Sequence, residues 1–343
     1  EYHCGSKTGR EIVTHDKNGN IAKIENGTQS VTFTYDGLSR LISEKNDFIQ
    51  EEISYFYDAD GNLKEVYRRP YADSEWVYRE EYIYSAANVN QLQKVTQYNL
   101  KTNVSKELFT VNVYDNLGNP CNYSGNVLKW ERGRILREFG QNKYAYNSDG
   151  IRQEKTTAEG VFHKYYTSGG KILGEEIKSG DKTNYYRYLY VGEQVTGFVI
   201  NNRDHYFYQY NAAGDVARIC DETGEIVAQY RYDAWGNSRI YDGNGVEVTA
   251  QDHIGYINPF RYKGYYCDAE TGFYYLQSRY YDPTTRRFLN SDILVGNVGS
   301  VGQNNLFQYC SNNPVNLADP TGYLVGEIAV FLLFVAVVAS IPA

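Results

Sequence analysis

The sequence predicts an all-β fold built from repeated β-hairpins, and three observations lead to this prediction. Tyrosine and glycine supply 36 and 31 of the 343 residues, whereas proline supplies only 7, a composition that favours many short strands joined by turns. One strand-turn-strand pattern recurs through the first two thirds of the chain, and little of the sequence has the spacing of a long amphipathic helix. A chain of this length exceeds what one compact core usually supports, so a repeat array is expected.

Each repeat consists of an aromatic-rich strand, an Asp or Asn, two variable residues, a Gly, a polar residue and a second strand. Adjacent copies such as Tyr35 and Tyr57, or Tyr210 and Tyr232, begin 22 residues apart. The weaker members Tyr166 and Tyr190 fill the gap from Tyr146 to Tyr210 in steps of 20 to 24 residues, a period typical of arrays in which each unit packs against its neighbours. Tyr35–Arg40 is a variant with Ser39 where glycine is usual. The regular copies are His15–Asn20, Tyr57–Asn62, Tyr114–Asn119, Tyr146–Ile151, Tyr210–Asp215 and Tyr232–Asn237.

The turn of each repeat explains its spacing. An Asp or Asn at the first turn position accepts hydrogen bonds from the backbone amides that follow, and Gly supplies the positive φ that a short hairpin loop needs. Strand segments such as Val31–Tyr35 alternate polar with apolar or aromatic residues, so one face of the sheet packs and the other meets solvent. The tyrosines suit either a ligand-binding ladder or structural stacking, and stacking is favoured because their rings pack well across strands.

Charge and cysteine usage exclude several classes of function. The formal net charge of −8 and the absence of long basic runs argue against a nucleic-acid partner. The five cysteines are scattered, and neither they nor His3 and His15 match a metal-ligand spacing, so no metal or cofactor is expected. Buried free thiols are the favoured state of the cysteines.

The composition divides the chain into three parts. Residues 1–241 are expected to form the repeat region and residues 242–323 the core region, and the segment from Tyr241 to Asn258, which has few aromatic residues, marks the join. Residues 324–343 form an apolar segment. Because the sequence contains no methionine, we expect a C-terminal fragment of a longer protein, in which a secretory signal would not be observable.

The core region carries the densest motif, and this motif resembles the core-domain signature of the RHS/YD-repeat family. That family includes the C subunits of insecticidal toxin complexes, bacterial polymorphic toxins and the teneurins. The resemblance implies that the hairpins wind into part of a hollow shell, which the core region closes and which encapsulates a C-terminal effector. The matching residues are Gly264, Asp268–Gly272, Tyr274, Arg279–Pro283, Arg287–Leu289, Asp292, Asn305, Leu306, Tyr309, Asn313, Pro314 and Asp319–Tyr323.

The resemblance also implies a self-cleavage site made of an aspartate dyad, Asp292 and Asp319. Two carboxylates in a low-dielectric site do not both ionise easily, so one keeps a proton and acts as acid while the other acts as base towards water. The expected cleavage lies between Tyr323 and Leu324. From the residues alone, turn capping is the favoured role of both aspartates, and the resemblance reverses this preference.

Arg279 and Arg287 are the supporting candidates, which either orient a carboxylate or hold the shape of the site. The sequence departs from the family pattern in three places: Ile293 follows Asp292 where Asp-Pro is usual, Tyr323 replaces a commoner Leu, and the loop of residues 293–304 is long. These departures bear on the efficiency of cleavage more than on the fold.

The segment Leu324–Ile341 is interrupted by polar residues only at Glu327 and Ser340. As a helix it would extend about 27 Å, close to the roughly 30 Å of a bilayer core. A short apolar helix is therefore expected, as a transmembrane or translocation segment or as a buried helix of a truncated effector.

Together these features predict a secreted or surface-displayed toxin-type shell that releases its own C-terminal effector by a single aspartate-dependent cleavage. Its expected partners are that effector, a membrane through Leu324–Ile341, and a cell-surface or secretion component. The alternative is a non-catalytic adhesion or wall-associated module, and a third hypothesis is an inactive remnant. The distance between Asp292 and Asp319 discriminates these hypotheses, because only a dyad requires the two side chains to meet.

Overall fold

The computed structural model describes residues 2–4, 7–292, 305–323 and 325–327. It confirms the all-β prediction, because nearly all of its regular elements are strands paired antiparallel. Strands β1 (Tyr2–Cys4) and β2 (Lys7–Gly9) form a separate two-stranded sheet. The remaining repeats form two large sheets, in which each strand pairs with its neighbours along the chain.

The first large sheet has nine strands and the second has thirteen. The first contains β3 (Glu11–His15), β4 (Ile21–Asn26), β5 (Gln29–Tyr35), β6 (Leu41–Asn46), β7 (Glu51–Tyr57), β8 (Leu63–Pro70), β9 (Tyr78–Tyr84), β10 (Leu92–Asn99) and β11 (Val104–Thr110). The second contains β12 (Asn122–Tyr123), β13 (Asn126–Glu131), β14 (Ile135–Phe139), β15 (Asn142–Tyr146), β16 (Arg152–Thr156), β17 (Phe162–Ser168), β18 (Lys171–Ser179), β19 (Lys182–Val191), β20 (Gln194–Ile200), β21 (Asp204–Tyr210), β22 (Val216–Asp221), β23 (Ile226–Tyr232) and β24 (Ser238–Asp242).

The core region has shorter elements. One helical turn, α1 (Ile254–Ile257), precedes a four-stranded sheet, and a two-stranded hairpin follows it. The four-stranded sheet contains β25 (Tyr266–Asp268), β26 (Phe273–Leu276), β27 (Arg279–Asp282) and β28 (Arg287–Phe288), and the hairpin contains β29 (Leu317–Ala318) and β30 (Gly326–Glu327). Single 3-10 turns lie at Tyr262–Gly264 and Cys310–Asn312.

The repeat turns have the predicted chemistry. In the first copy, Asp16 Oδ1 accepts hydrogen bonds from the amides of Asn18 and Asn20 at 2.8 and 2.9 Å, and Gly19 has a φ of 87°. The Asn20 side chain also donates to Asp16 Oδ2 at 3.1 Å. The residue after glycine therefore has its own role, since the backbone and side-chain amides of Asn20 each donate to one oxygen of the Asp16 carboxylate.

The repeat tyrosines link consecutive hairpins. The Tyr57 hydroxyl donates to the Leu41 carbonyl at 2.7 Å, and the Tyr84 hydroxyl donates to the Leu63 carbonyl at the same distance. The same bond recurs at other copies, for example from Tyr232 to the Val216 carbonyl at 2.8 Å. Each ring packs in the sheet while its hydroxyl satisfies a carbonyl of the preceding hairpin, which explains why tyrosine is used instead of phenylalanine.

The repeats surround the core region. Polar side chains of the core region contact early, middle and late repeats, so the two parts share one interior. Examples are Asn313 to Asn20, Arg286 to Glu80, Arg152 to Asp268 and Tyr266 to Glu175. These contacts between the core region and the surrounding repeats agree with the shell arrangement that the family resemblance implied.

The described cysteines differ from the expectation of buried free thiols at two positions, because Cys121 is only partly buried and Cys220 is not a free thiol. Cys121, Cys267 and Cys310 are free, and burial raises the pKa of the Cys267 thiol. Cys220 is disulfide-bonded, so the prediction of free thiols is wrong there. Scattered cysteines give no local spacing from which such a bond could be predicted.

The predicted C-terminal helix Leu324–Ile341 lies outside the described residues except for residues 325–327, two of which form strand β30. Within the described ranges, no helix is long and apolar enough to cross a membrane.

Glu44 lies at a seam where the first large sheet meets the last turn of the second. Its carboxylate accepts hydrogen bonds from the Ala234 amide at 2.9 Å, the Tyr55 hydroxyl at 3.1 Å and the Asn46 amide at 2.7 Å. Burial, assisted by the nearby negative charge of Asp233, raises the pKa of Glu44 to about 7. The stabilising form of this side chain is therefore the protonated one.

We expect Glu44→Gln to gain stability relative to the wild type as pH rises. Because the pKa of Glu44 is higher in the folded protein than its unfolded value of 4.5, protonated Glu44 stabilises the fold fully below pH 4.5. This stabilisation is lost as the pH rises to about 7. Urea unfolding measures the free energy of unfolding of both proteins at about pH 5 and about pH 8. The difference between the variant and the wild type should change by on the order of 3 kcal/mol between these pH values. The exposed control Glu107→Gln should give the same difference from wild type at both pH values.

Candidate functional site

A cleft of about 440 Å³ lies between the core region and two turns of the second large sheet. One wall comes from the repeat turns around Arg132–Leu136 and Ser148–Gly150, and the other comes from the bend Gln277–Tyr280. Asp292, Gly322 and Tyr323 also line it. The cleft therefore brings together residues that are more than forty positions apart in the core region.

Arg279 is the centre of this site. It begins strand β27, directly after the bend that ends β26. Its Nη2 atom lies 2.8 Å from Asp292 Oδ2 and 3.2 Å from Asp319 Oδ2. One guanidinium nitrogen thus contacts both predicted dyad residues, which the fold brings together.

The three charged side chains differ in their access to solvent. The Asp319 side chain is 0% exposed, that of Arg279 6%, and that of Asp292, which faces the cleft, 15%. Burial lowers the pKa of the Arg279 guanidinium, while the carboxylates of Asp292 and Asp319 act in the opposite direction. Arginine stays protonated under ordinary conditions, so the site holds a buried cation between two acids.

The loop after Asp319 is held against the same bend. Strands β29 and β30 pair Leu317 with Glu327 and Ala318 with Gly326, so the described residues 319–323 lie in the loop of a hairpin. Arg279 Nε donates to the Gly322 carbonyl at 2.5 Å. The predicted cleavage region therefore lies in a loop that the dyad arginine contacts directly.

The predicted site residues divide clearly. Asp292, Asp319 and Arg279 converge, and Tyr323 is 46% exposed at the edge of the cleft. Leu324 lies outside the described residues. Arg287 does not join the group, because it stacks on the rings of Tyr84 and Phe307 and donates to the Asn90 carbonyl.

Two contacts near the site were not predicted from the sequence. The Tyr265 hydroxyl accepts a hydrogen bond from the Asp319 amide at 2.9 Å, and Ser278 contacts the Thr321 carbonyl. Ser278 directly precedes Arg279 in the motif, so adjacency was the one available signal for it. Tyr265 had none, because its role depends on a contact between distant parts of the chain.

The site is made of charged and backbone groups. Within the part of the chain that the structure describes, no group of three or more His, Cys, Asp or Glu side chains could hold a metal ion. Asp292 and Asp319 with Arg279 are instead suited to acid-base chemistry on a nearby peptide bond.

Comparison with known proteins gives relatives over most of the chain, although no model of a protein family matches it. The tRNA nuclease WapA of Bacillus subtilis strain 168 is 32% identical over 336 residues, which cover 94% of this chain and 13% of WapA. The double-stranded DNA deaminase toxin A of Burkholderia cenocepacia is 25% identical over 334 residues, covering 88% of this chain and 21% of the toxin. The chain thus spans less than a quarter of either relative.

Among solved structures, the crystal structure of TcdB2-TccC3 without its hypervariable C-terminal region matches with a TM-score of 0.62 at 18% sequence identity. The match covers 92% of this chain and 18% of that chain. At this level of identity the similarity shows a common fold.

Proposed function

This chain is an RHS/YD-repeat protein of the toxin-shell type, and we propose from this premise that its core region cleaves the polypeptide once after Tyr323 to release a C-terminal effector. The observation that carries the proposal is the position of Arg279 between Asp292 and Asp319, beside the loop that leads to Tyr323. The repeats enclose the core region, which suits a shell around a released segment. The hypervariable C-terminal region of the TcdB2-TccC3 neighbour suits a cargo that differs between shells.

The charges of the site suit a dyad that carries one proton. With both carboxylates ionised, Arg279 would leave one net negative charge in a largely buried site, which is costly in a low dielectric. One shared proton makes the group neutral. The arginine lets the two acids stay close, and we assign the shared proton to Asp319, the more buried of the two.

The cleavage itself is a hydrolysis. Asp292 faces the cleft and accepts a proton from a water molecule. The oxygen of that water bonds to the Tyr323 carbonyl carbon. The C–N bond to Leu324 breaks, and the proton held by Asp319 passes to the leaving nitrogen. Because the bond and the acids belong to one chain, the reaction needs no separate substrate-binding step and occurs once per molecule.

The alternative of a non-catalytic adhesion module does not require Asp292 and Asp319 to meet. Their common contact with Arg279 therefore favours the self-cleaving shell. We propose that the shell acts outside the cell that makes it, as a secreted or surface protein with its own effector as partner. Membrane contact through Leu324–Ile341 stays a prediction.

Intact mass of the purified chain tests the cleavage. The wild type should lack residues 324–343, whereas Asp292→Asn and Asp319→Asn should retain them, because an amide cannot exchange the required proton. Asp149→Asn is the matched control, since Asp149 is an exposed carboxylate on the wall of the same cleft and should be dispensable. A wild-type chain of full mass would remove the enzyme proposal and favour the adhesion module.

A further inference from the structure

We infer that Ser278 is a positioning residue for the cleavage, an inference that rests on the proposed function and adds to the dyad a group that holds the loop before the cleaved bond. The Ser278 hydroxyl donates to the Thr321 carbonyl at 2.7 Å, and the Ser278 amide donates to the same oxygen at 3.2 Å. Two donors from one residue therefore fix one carbonyl in the loop. That carbonyl lies two residues before Tyr323.

The next residue, Gly322, comes very close to the same bend. A Cβ atom on Gly322 would lie 2.5 Å from Ser278 Oγ, 2.7 Å from the Leu276 carbonyl oxygen and 3.0 Å from the Arg279 amide nitrogen. Gly322 also has a φ of 71°, which disfavours other residues. Backbone contact between the loop and the bend is thus possible only with glycine at this position.

These contacts add to the backbone pairing that holds the loop. Among the residues that the structure describes, two pairs join β29 to β30, which is little pairing to fix the loop against the dyad. A displacement of about 1 Å is enough to reduce the rate of an oriented reaction greatly. Arg279 contributes by donating to the Gly322 carbonyl, but Arg279 also contacts the acids. The Ser278 hydroxyl donates to the loop backbone, and the Ser278 amide is shared between the Thr321 carbonyl and, at 2.7 Å, the Leu276 carbonyl of the bend.

The geometry separates the two roles. Arg279 and the aspartates act at the cleaved bond, and Ser278 acts on the position of that bond. Loss of the Ser278 hydroxyl should therefore slow cleavage and loosen the choice of bond. It should leave the pH dependence of cleavage unchanged, since no acid or base is altered.

The test follows a pulse-labelled full chain made by cell-free translation, with the uncut fraction measured over time and the product by mass. Ser278→Ala should cleave about tenfold more slowly at every pH, because it loses one of two hydrogen bonds. Part of its product should end one residue before or after Tyr323. Ser278→Thr, which keeps the hydroxyl, should cleave within about threefold of the wild type.

Ser148→Ala is the matched control, since Ser148 is an exposed serine on the wall of the same cleft whose hydroxyl contacts Asp149. It should cleave at the wild-type rate and at one bond. Wild-type rate and product in Ser278→Ala would overturn the positioning role while leaving the self-cleaving shell intact. An uncut wild type would overturn both, so the two failures are distinguishable. A Ser278→Ala protein with a lowered urea midpoint and an unchanged product mass would mean a merely structural role.

Discussion

Replacing Arg279 with lysine should slow self-cleavage by about a hundredfold or more, because no ammonium group reproduces the contacts of this guanidinium. Arg279 Nη2 contacts Asp292 and Asp319, and its Nε donates to the Gly322 carbonyl. Loss of one preorganised electrostatic contact at an active site typically reduces a rate by about 10² to 10³. Lysine keeps the positive charge but presents it as a compact point charge on a flexible stem.

The cleavage rate of a pulse-labelled chain is the measurement. Arg287→Lys is the matched control, because Arg287 is a buried arginine of the same motif that stacks on aromatic rings and contacts neither aspartate. It should lower the urea midpoint and leave the cleavage rate within about threefold of the wild type. Equal rates for Arg279→Lys and the wild type would mean that the arginine only supports the fold. Urea midpoints for both variants separate a loss of stability from a loss of chemistry.

The repeats were predictable because their information is local. Asp16, Gly19 and Asn20 close one turn through hydrogen bonds within five residues, and the same residue types recur along the chain. Such turn chemistry can be read from a few neighbouring letters. The role of the repeat tyrosines was less predictable, since the carbonyl that accepts from Tyr57 belongs to the preceding hairpin at Leu41.

The site was predictable only in part. The residues alone left Asp292 and Asp319 as ordinary turn caps, and the family resemblance was needed to suggest that they meet. The sequence also treated Arg279 and Arg287 alike. Strand register separates them, because β27 and β28 pair Tyr281 with Phe288 and so direct the two arginines to different neighbours.

Buried charge was the least predictable feature. Strand β16 (Arg152–Thr156) has the sequence of an exposed strand, yet Arg152 and Lys155 are both buried. Their counter-ion, Asp268, follows more than a hundred residues later. A single sequence gives no local sign of such a pairing, because burial of a charge depends on a partner that only the folded chain supplies.

Asp268→Asn should reduce the free energy of unfolding by about 3 to 5 kcal/mol, the usual cost of breaking a buried ion pair by removing one partner. Asp268 accepts from Arg152 Nη1 and Nη2 at 2.6 and 3.0 Å and from Lys155 Nζ at 2.9 Å. Glu270 is the other acid near Lys155. Without Asp268, the Arg152 guanidinium would remain buried among tyrosine rings with no carboxylate in contact.

The stability that Asp268→Asn loses should depend on pH. Burial acts to raise the pKa of Asp268, but Arg152 and Lys155 outweigh it and lower the pKa overall. The carboxylate therefore stabilises the fold above its unfolded pKa, and this contribution is lost as pH falls through the folded value. Urea unfolding should show the full difference between wild type and variant near neutral pH and a smaller one in acid. The exposed pair Arg203 and Asp204 supplies the control, and Asp204→Asn should leave the midpoint unchanged.

This cluster is also connected to the proposed site. Arg152 Nη1 donates to the Tyr280 hydroxyl at 3.1 Å, and Tyr280 follows Arg279 in strand β27. Arg152 of a repeat strand thus contacts both Asp268 in β25 and Tyr280 in β27, and we expect its ion pair with Asp268 to help orient the strand that carries the dyad arginine. Asp268→Asn should then slow cleavage as well as destabilise the fold, even under conditions where the variant is fully folded. Cleavage at the wild-type rate in the folded variant would mean that the cluster stabilises the shell without orienting the site.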